Sequence, residues 1–156
     1  MKKKYSNKLQ ALDKKLKKIK ARDIMTEDVI TISKNEDLYK AAEIMLKNRI
    51  SGIPIVSKAG KVQGIITEND LFMVMDVVKS GDVVLDKKKK DIIPPVDFVM
   101  SVGVDTVSRD TTLDEIIILM KYKNQHTIPV MEKGKMAGII GKHDVFRSFY
   151  SAAKSC

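Results

Sequence analysis

The chain has 156 residues, of which 44% are hydrophobic and 31% are charged. This length and balance suit a globular protein with its own hydrophobic core and exclude a generally disordered chain. No apolar run approaches the roughly 18 residues of a membrane span, and the lysine-rich N-terminus lacks the apolar core of a signal peptide. A single cysteine, Cys156, excludes disulfide frameworks and cysteine-based metal sites, and we expect a cytoplasmic protein.

The net charge of +9 is confined to the N-terminus. Residues 1–22 carry nine lysines and Arg22 against one acid, Asp13, whereas the other 134 residues carry 19 basic and 19 acidic side chains. The rest of the protein is therefore neutral. Because a DNA-binding domain more often carries its positive charge on the fold itself, the net charge alone does not indicate nucleic-acid binding.

The first predicted element is a basic amphipathic helix within residues 1–20, here called the arm. Its apolar residues recur at helical spacing, with lysines on the other faces; they are Leu9, Leu12, Leu16 and Ile19. Three interpretations are open. The apolar stripe packs on the body or on a second subunit, or the helix lies on an anionic membrane, or its lysines bind the phosphates of nucleic acid.

The rest of the chain repeats itself with an offset of 75 residues, which becomes 74 after one deletion. The aligned pairs include Met25 with Met100, Thr31 with Thr106, Ile53-Pro54 with Ile128-Pro129, Gly64 with Gly138, and Asp70 with Asp144. Spaced identities with a single gap indicate two copies of one unit. We therefore divide the chain into the arm (1–20), copy one (21–81), a linker (82–95) and copy two (96–156).

Copy one predicts a strand, a helix, two strands and a second helix. A β-branched run over 29–32 predicts the first strand. The first helix follows, with one apolar face formed by Leu38, Ala41, Ala42, Met45 and Leu46. Strands over 53–56 and 62–66 form a hairpin around Gly60, and the second helix covers 68–79.

Copy two predicts the same elements. The strand covers 104–107, the hairpin strands cover 127–131 and 135–140, and the last helix begins at Lys142 and ends near Ala153. Asp110 or Thr111 caps the intervening helix, whose inward residues are Leu113, Ile116, Ile117 and Met120. Because one such unit with three short strands buries too little surface alone, we expect a pseudo-symmetric α+β (α/β) body in which the two copies cover each other.

The paired pattern resembles the CBS domain family, named after cystathionine β-synthase. The resemblance covers about 21–153 and is carried by four features of each copy: a Met-Thr or Met-Ser opening, a threonine in the first strand, an Ile-Pro strand, and Gly-Ile-Ile-x-x-x-Asp before the last helix. It implies a tandem pair, or Bateman module, of β-α-β-β-α motifs packed sheet to sheet, with adenosine-containing ligands in the two clefts between them. It also implies homodimers and regulation of an attached enzyme, channel or transporter. Nothing is attached in this sequence, so we expect a stand-alone module.

A candidate ligand site lies where the third strand of copy one meets its last helix, at Thr67 and Asp70. The free N–H groups at a helix start favour phosphates and other electron-rich groups, and an aspartate in the first turn can accept hydrogen bonds from ribose hydroxyls. The alternative is that Thr67 and Asp70 only cap the helix. The family resemblance assigns Thr-x-x-Asp to ribose and phosphate contact.

Copy two keeps Asp144 but has Gly141 in place of the threonine, so we expect a weaker second site. By family analogy, the adenine slot in each site lies around three residues, which are Thr31, Ile53 and Pro54 in site 1 and Thr106, Ile128 and Pro129 in site 2. The alternative for these residues is an ordinary core strand.

The phosphate contacts implied by the resemblance fall mainly in copy two. His126 and His143 occupy positions where family members that bind phosphorylated adenosines often carry basic residues, and Arg49 and Lys142 are basic neighbours. The alternative is that both histidines are ordinary surface residues. Two histidines do not make a zinc site, and we predict no metal.

The sequence contains no Gly-rich phosphate loop and no Gly-x-Ser-x-Gly elbow, so we predict no enzymatic activity. Our first hypothesis is a regulatory sensor, for example of energy state, that binds AMP, ADP or ATP and signals to an unknown downstream protein. S-adenosylmethionine, NAD and cyclic dinucleotides are further candidate ligands. The alternative is a scaffold or dimerisation protein whose arm binds nucleic acid or anionic membrane, with a CBS body that does not respond to ligand.

The last helix of each copy predicts a homodimer surface, because apolar faces that the pair leaves uncovered must be buried elsewhere. The residues on these faces are Leu71, Phe72, Val74, Met75 and Val78 in copy one and Phe146, Phe149 and Tyr150 in copy two.

Overall fold

Helices and short strands follow one another in the order that the repeat predicts, which confirms a mixed class of helices and strands. The computed structural model describes residues 2–80 and 94–156, so most of the predicted linker, 82–93, lies outside the described residues. The elements are α1 (Lys2–Leu16), α2 (Ala21–Ile24), α3 (Leu38–Asn48), β1 (Gly52–Val56), β2 (Val62–Thr67), α4 (Glu68–Ser80), a 3₁₀ helix (Val96–Phe98), β3 (Val107–Ser108), α5 (Leu113–Lys123), β4 (Thr127–Glu132), β5 (Lys135–Gly141) and α6 (Lys142–Lys154).

The elements belong to two compact units, each with its own hydrophobic core. The first-copy unit is Ile30–Val104, and the second-copy unit is Met1–Val29 together with Asp105–Cys156. The core of the first contains Ile53, Ile55 and Ile66 from the hairpin strands. The core of the second contains their counterparts Ile128 and Ile140. Each antiparallel hairpin, β1 with β2 and β4 with β5, therefore supplies the centre of one unit.

The first strands of both copies are shorter than the sequence predicts. The run 29–32 contributes a single parallel bridge, from Ile32 to Ile55, and the run 104–107 contributes only Val107, which with Ser108 forms β3. The chain passes between the two units after Val29 and again after Val104. The predicted lengths were wrong, because the change from one unit to the other falls inside each predicted strand.

Helix α3 begins at Leu38, and the side chain of its N-cap, Asp37, accepts a 2.8 Å hydrogen bond from the N–H of Lys40. Leu38, Ala41 and Met45 are buried as predicted, but Leu46 is 80% exposed. At 100° per residue, the eighth residue after Leu38 points about 80° away from it, outside the apolar stripe. The prediction that Leu46 faces the core was wrong for this reason.

The N-cap of helix α5 lies one residue after Thr111 and two residues after Asp110, so both caps predicted from the sequence were wrong. Its N-cap is Thr112, and Glu115 Oε2 accepts hydrogen bonds of 2.7 Å from both the backbone N–H and the hydroxyl of Thr112. Asp110 instead pairs with Arg22, and the side chain of Thr111 accepts from the N–H of Ser108. A carboxylate at the third helical position thus satisfies the free N–H at this helix start.

The cap at α5 predicts a pH-dependent contribution to stability. The hydrogen bonds from the N–H and hydroxyl of Thr112 lower the pKa of Glu115 from its ordinary value of 4.5. Because the folded pKa lies below the unfolded one, this contribution is present above pH 4.5 and is lost as the pH falls through the folded pKa. We expect Glu115→Ala to lower the urea midpoint at pH 7 and to differ less from wild type at pH 3. An equal difference at both pH values would contradict this assignment.

The opening segment of each copy lies in the compact unit that contains the hairpin of the other copy. In the second-copy unit, Thr26 and Ile139 exchange two backbone hydrogen bonds of 2.9 Å. In the first-copy unit, Ser101 and Ile65 exchange bonds of 2.9 and 3.0 Å. Each opening segment thus extends a hairpin by an antiparallel bridge on its outer strand. The copies predicted from the repeat are therefore units of sequence. The compact units of the structure differ from them, because each contains the opening segment of the other copy.

Two aligned glycines allow the opening segments to approach. A Cβ on Gly64 would lie 2.6 Å from the carbonyl oxygen of Ser101. A Cβ on Gly138 would lie 2.6 Å from Met25 Sδ and 3.0 Å from the carbonyl oxygen of Thr26. The repeated Gly-Ile-Ile pattern therefore preserves space for backbone at the same point of each hairpin.

We expect Gly64→Ala to lower the free energy of unfolding by about 1–3 kcal/mol, because the added methyl meets a backbone oxygen that cannot rotate away. The matched control is Gly141→Ala, whose Cβ would meet only Asp144 Oδ2, at an ordinary 3.5 Å. Urea unfolding of both variants measures the difference. The close-approach account fails if Gly64→Ala is as stable as Gly141→Ala.

The arm is part of the second-copy unit. Leu16 is 9% exposed and belongs to its core, and Leu12 and Ile19 pack against that core. Lys15 Nζ donates hydrogen bonds to the carbonyl and hydroxyl oxygens of Ser155, which follows α6. The interpretation that the stripe packs on the body is confirmed for these three residues. Leu9 is 66% exposed in this chain, and its packing on a second subunit stays a prediction.

Candidate ligand site

Site 1 lies at one end of the first-copy hairpin. β1 begins at Gly52, which pairs with Thr67 at the end of β2, and α4 begins at the next residue. The N–H of Glu68, the first residue of α4, donates a 3.1 Å hydrogen bond to the carbonyl oxygen of Ser51. The fold therefore brings the start of β1 and the start of α4 together, with Thr67 and Asp70 at the junction.

Asp70 caps α4. One carboxylate oxygen, Oδ2, accepts hydrogen bonds of 2.7 Å from both the N–H and the hydroxyl of Thr67. This is the arrangement seen at Thr112 and Glu115 on α5, where no ligand site is predicted. The capping interpretation of Thr67 and Asp70 therefore describes their geometry in this structure. Since Asp70 is only half-buried and its Oδ1 receives no hydrogen bond from the described residues, capping leaves one oxygen able to accept bonds from a ligand.

The residues predicted to form the adenine slot of site 1 differ in accessibility. Ile53 and Pro54 are fully buried, and the side chain of Ile53 belongs to the hydrophobic core. Thr31 is half-buried and precedes Ile32, whose N–H donates to the carbonyl oxygen of Pro54 at 3.2 Å. Thr31 therefore lies beside the β1 backbone. The side chain of Ile53 is instead buried in the hydrophobic core.

Site 2 repeats this junction in the second-copy unit. Thr127 at the start of β4 pairs with Gly141 at the end of β5, and α6 begins at Lys142. Asp144 Oδ2 accepts a 2.8 Å hydrogen bond from the N–H of Gly141. Asp144 thus performs the same backbone capping as Asp70 without any hydroxyl partner, so its recurrence does not require a ligand.

The remaining predicted residues of site 2 parallel those of site 1. Ile128 and Pro129 are fully buried, and Ile128 is a core residue. Thr106 is exposed and directly precedes β3. Gln125, which the sequence analysis did not single out, donates a 3.0 Å hydrogen bond from its side-chain amide to the carbonyl oxygen of Asp105. This bond holds the segment containing Thr106 near the start of β4.

Three of the four basic candidates cluster at site 2. The N–H of Lys142 donates a 2.9 Å hydrogen bond to the carbonyl oxygen of His126, so His126, Lys142 and His143 lie around the start of α6. All three are exposed. The fourth, Arg49, lies in the first-copy unit, where it is the C-cap of α3 in the left-handed conformation with φ 54°. The site 1 positions that correspond to Lys142 and His143 are Glu68 and Asn69.

The opening segment of each copy makes backbone hydrogen bonds close to a candidate site, although its residues were aligned in the repeat and not predicted as site residues. Ser101 bonds to Ile65 two residues before Thr67, and Thr26 bonds to Ile139 two residues before Gly141. The signal was present in the repeat, since the openings and the Gly-Ile-Ile strands recur at the same spacing. The hydrogen bonds between an opening segment and a hairpin could not be predicted from the repeat, because each bond joins residues of different copies.

Within residues 2–80 and 94–156, no three side chains of the metal-ligating types His, Cys, Asp and Glu are grouped closely enough to hold a metal ion. The helices of this described part also include none with the length and apolar character needed to cross a membrane.

The CBS domain family model matches residues 21–76 and 95–151. The chain therefore belongs to the CBS domain family and contains two copies of the domain, a pair that forms a regulatory module in this family.

Comparisons with individual proteins agree with this family assignment. The chain is 31% identical over 129 residues to L-aspartate semialdehyde sulfurtransferase of Methanocaldococcus jannaschii, covering 82% of this chain and 23% of that protein. It resembles the crystal structure of the CBS domain pair of protein MJ0100 in complex with 5′-methylthioadenosine and S-adenosyl-L-methionine, with a TM-score of 0.71, 26% identity and coverage of 85% and 96%. A putative acetoin utilization protein, AcuB, from Vibrio cholerae gives a TM-score of 0.74 at 25% identity, with coverage of 88% and 96%.

The chain spans 23% to 41% of the length of the three curated relatives matched first. The likeness therefore covers less than half of each of those proteins.

Proposed function

We propose that this CBS domain pair is a non-catalytic regulatory sensor that binds an adenosine-containing ligand at site 1 and site 2. The observation that carries the proposal is that capping engages only one carboxylate oxygen of each half-buried aspartate at the two strand-to-helix junctions, so the other oxygen can accept hydrogen bonds from a ligand. Asp70 and Asp144 each use Oδ2 for capping. The second oxygen of each carboxylate accepts hydrogen bonds from the ribose hydroxyls.

The class of ligand follows from the chemistry of the junction. A ribose offers two neighbouring hydroxyl donors to one carboxylate, and the helix start offers a positive dipole to phosphates or other electron-rich groups. The CBS pair of MJ0100, 26% identical to this chain, was crystallised with two adenosine derivatives. We propose AMP, ADP or ATP as the ligands of this chain, with S-adenosylmethionine, NAD and cyclic dinucleotides as the other members of the test panel.

The two sites are not equivalent in charge. At the start of α6, Lys142 is the first helical residue and the histidines His126 and His143 stand beside it, whereas Glu68 is the first residue of α4. A polyphosphate tail is therefore better accommodated at site 2, and an adenosine ligand without phosphate at site 1. The structural advantage we assigned to Thr67 is reduced, because its hydroxyl donates to Asp70.

Signalling requires the ligand to bind two states of the protein with different affinity. We propose that a homodimer and a downstream protein partner read this difference. The predicted dimer faces retain exposed apolar residues, namely Phe72, Met75 and Val78 on α4 and Phe146, Phe149 and Tyr150 on α6. Leu71 and Val74 instead pack against the first-copy core, so their prediction as part of an uncovered face was wrong.

A thermal-shift panel of the candidate ligands tests the proposal. A ligand present at about 100 times its Kd stabilises the folded state by about 2.7 kcal/mol, which corresponds to roughly 5–10 °C for a chain of this size. We expect at least one adenosine ligand to give such a shift, and guanosine analogues of the same charge to give less. A flat panel with ligand-free, folded protein would overturn the sensor assignment.

A further inference from the structure

We propose that the exposed lysines of the arm bind the phosphate backbone of duplex nucleic acid, independently of the adenosine sites. Residues 1–22 carry the whole net charge of the chain. A separate basic tail would be weak evidence for such a role. The structure, however, packs Leu16 into the core of the second-copy unit with Leu12 and Ile19 against it, so the lysines interspersed among these residues belong to a folded segment.

The exposed lysines are available for phosphates. Lys8, Lys14 and Lys18 are exposed and form no ion pair within the described residues, whereas Lys17 is paired with Asp13 at 2.7 Å. The bond from Lys15 to Ser155 places the end of α1 beside the end of α6, where Lys154 is also exposed. Exposed lysines therefore lie both on the arm and at the end of α6.

The packing of α1 argues against a membrane partner. A helix that lies on a bilayer inserts its apolar face among the lipids. In this chain Leu12, Leu16 and Ile19 are committed to the core, and Leu9 is the one residue of the predicted stripe that is exposed. Among residues 7–20, exposed lysines therefore outnumber exposed large apolar side chains, which suits a highly charged polyanion in water.

Duplex nucleic acid matches this surface better than a single strand does. Single-strand binding surfaces use several aromatic side chains on which bases stack, and the arm contains one aromatic residue, Tyr5. Lysines are flexible point charges that contact phosphates without reading bases. A 15-residue helix is about 22 Å long, enough to follow several phosphates along a groove edge. We therefore expect sequence-independent binding with a strong dependence on salt.

The test uses a fluorescein-labelled 24-base-pair DNA duplex and fluorescence anisotropy at several salt concentrations. The arm variant is Lys8→Gln, Lys14→Gln and Lys18→Gln combined. The control is Lys58→Gln, Lys61→Gln and Lys79→Gln combined, which removes the same charge from exposed positions of the first-copy unit. Deleting the arm is unsuitable, since Leu16 belongs to the core. Thermal unfolding establishes that both variants are folded.

We expect wild-type affinity for the duplex to fall steeply between 50 and 200 mM salt. The arm variant should bind at least about tenfold more weakly at 50 mM salt, with a salt slope reduced by up to about 2.7 for three lost contacts, while the control stays near wild type. Three results would overturn the proposal: no binding by wild type at 50 mM salt, equal losses in both variants, or arm-dependent binding only to phosphatidylserine vesicles. Asp70→Ala should leave duplex binding unchanged, which keeps this proposal separate from the proposed sensor function.

Discussion

Replacing Asp70 by alanine is expected to weaken the binding of an adenosine ligand at site 1 by about 10- to 100-fold. The substitution removes the half-buried carboxylate at the start of α4 and with it the hydrogen bonds to the ribose. Each hydrogen bond to a charged group contributes about 1.5–3 kcal/mol. Isothermal titration calorimetry on the two proteins measures the ratio of their dissociation constants.

The chain offers a matched control for the capping role of Asp70. Glu115→Ala breaks the same pair of hydrogen bonds, from an N–H and a threonine hydroxyl, at the start of α5, where no site is predicted. We expect both variants to lose stability from the missing cap, and only Asp70→Ala to lose affinity. If the two variants bind the ligand equally well, Asp70 is a cap and nothing more.

Replacing Leu16 by alanine is expected to lower the free energy of unfolding by about 2–5 kcal/mol. Leu16 is 9% exposed and lies in the core that also contains Leu113, Ile116 and Ala152, so its removal leaves a cavity among residues from three helices. Urea unfolding of the full chain, monitored by circular dichroism, measures the loss.

Leu9→Ala is the matched control, because Leu9 belongs to the same predicted stripe but is 66% exposed. We expect its effect to stay within about 0.5 kcal/mol of wild type. If Leu16→Ala is as mild as Leu9→Ala, the arm is not part of the second-copy core. The basic surface proposed for nucleic acid would then lose its rigid support.

The regular elements were predictable because their signals are local. The apolar spacing of Leu38, Ala41 and Met45 fixes the buried face of α3, and alternating turn and strand residues fix both hairpins. The hairpin strands and last helices begin and end within about one residue of the predicted positions, a smaller error than periodicity usually permits.

The long-range arrangement was not predictable, because a repeat shows which residues correspond but not which residues meet. The bridges from Thr26 to Ile139 and from Ser101 to Ile65 join residues of different copies, and nothing local distinguishes them from contacts within one copy. The shortened first strands have the same origin, since their residues lie where the chain changes units. The docking of Leu16 likewise depends on a partner surface about a hundred residues away in sequence.

The helix starts at both candidate sites were predicted from the sequence, whereas the hydrogen bonds made there were not, and the binding role of these residues stays a prediction. The Thr-x-x-Asp pattern correctly indicated a helix start, and both alternatives, cap and ribose acceptor, used the same carboxylate. The structure shows that capping engages one oxygen of Asp70 and one of Asp144. Two functions can therefore share one side chain, which is why a pattern of residue types could not separate them.

The most direct test of the sensor proposal is an NMR titration of the isotope-labelled full chain with AMP, ATP and S-adenosylmethionine, read at the backbone amides. The account predicts that the largest shifts occur at Thr67–Asp70 or at Gly141–Asp144, with smaller changes at the segments containing Thr31 and Thr106. Shifts confined to the arm, or an unchanged spectrum at millimolar ligand, would contradict it.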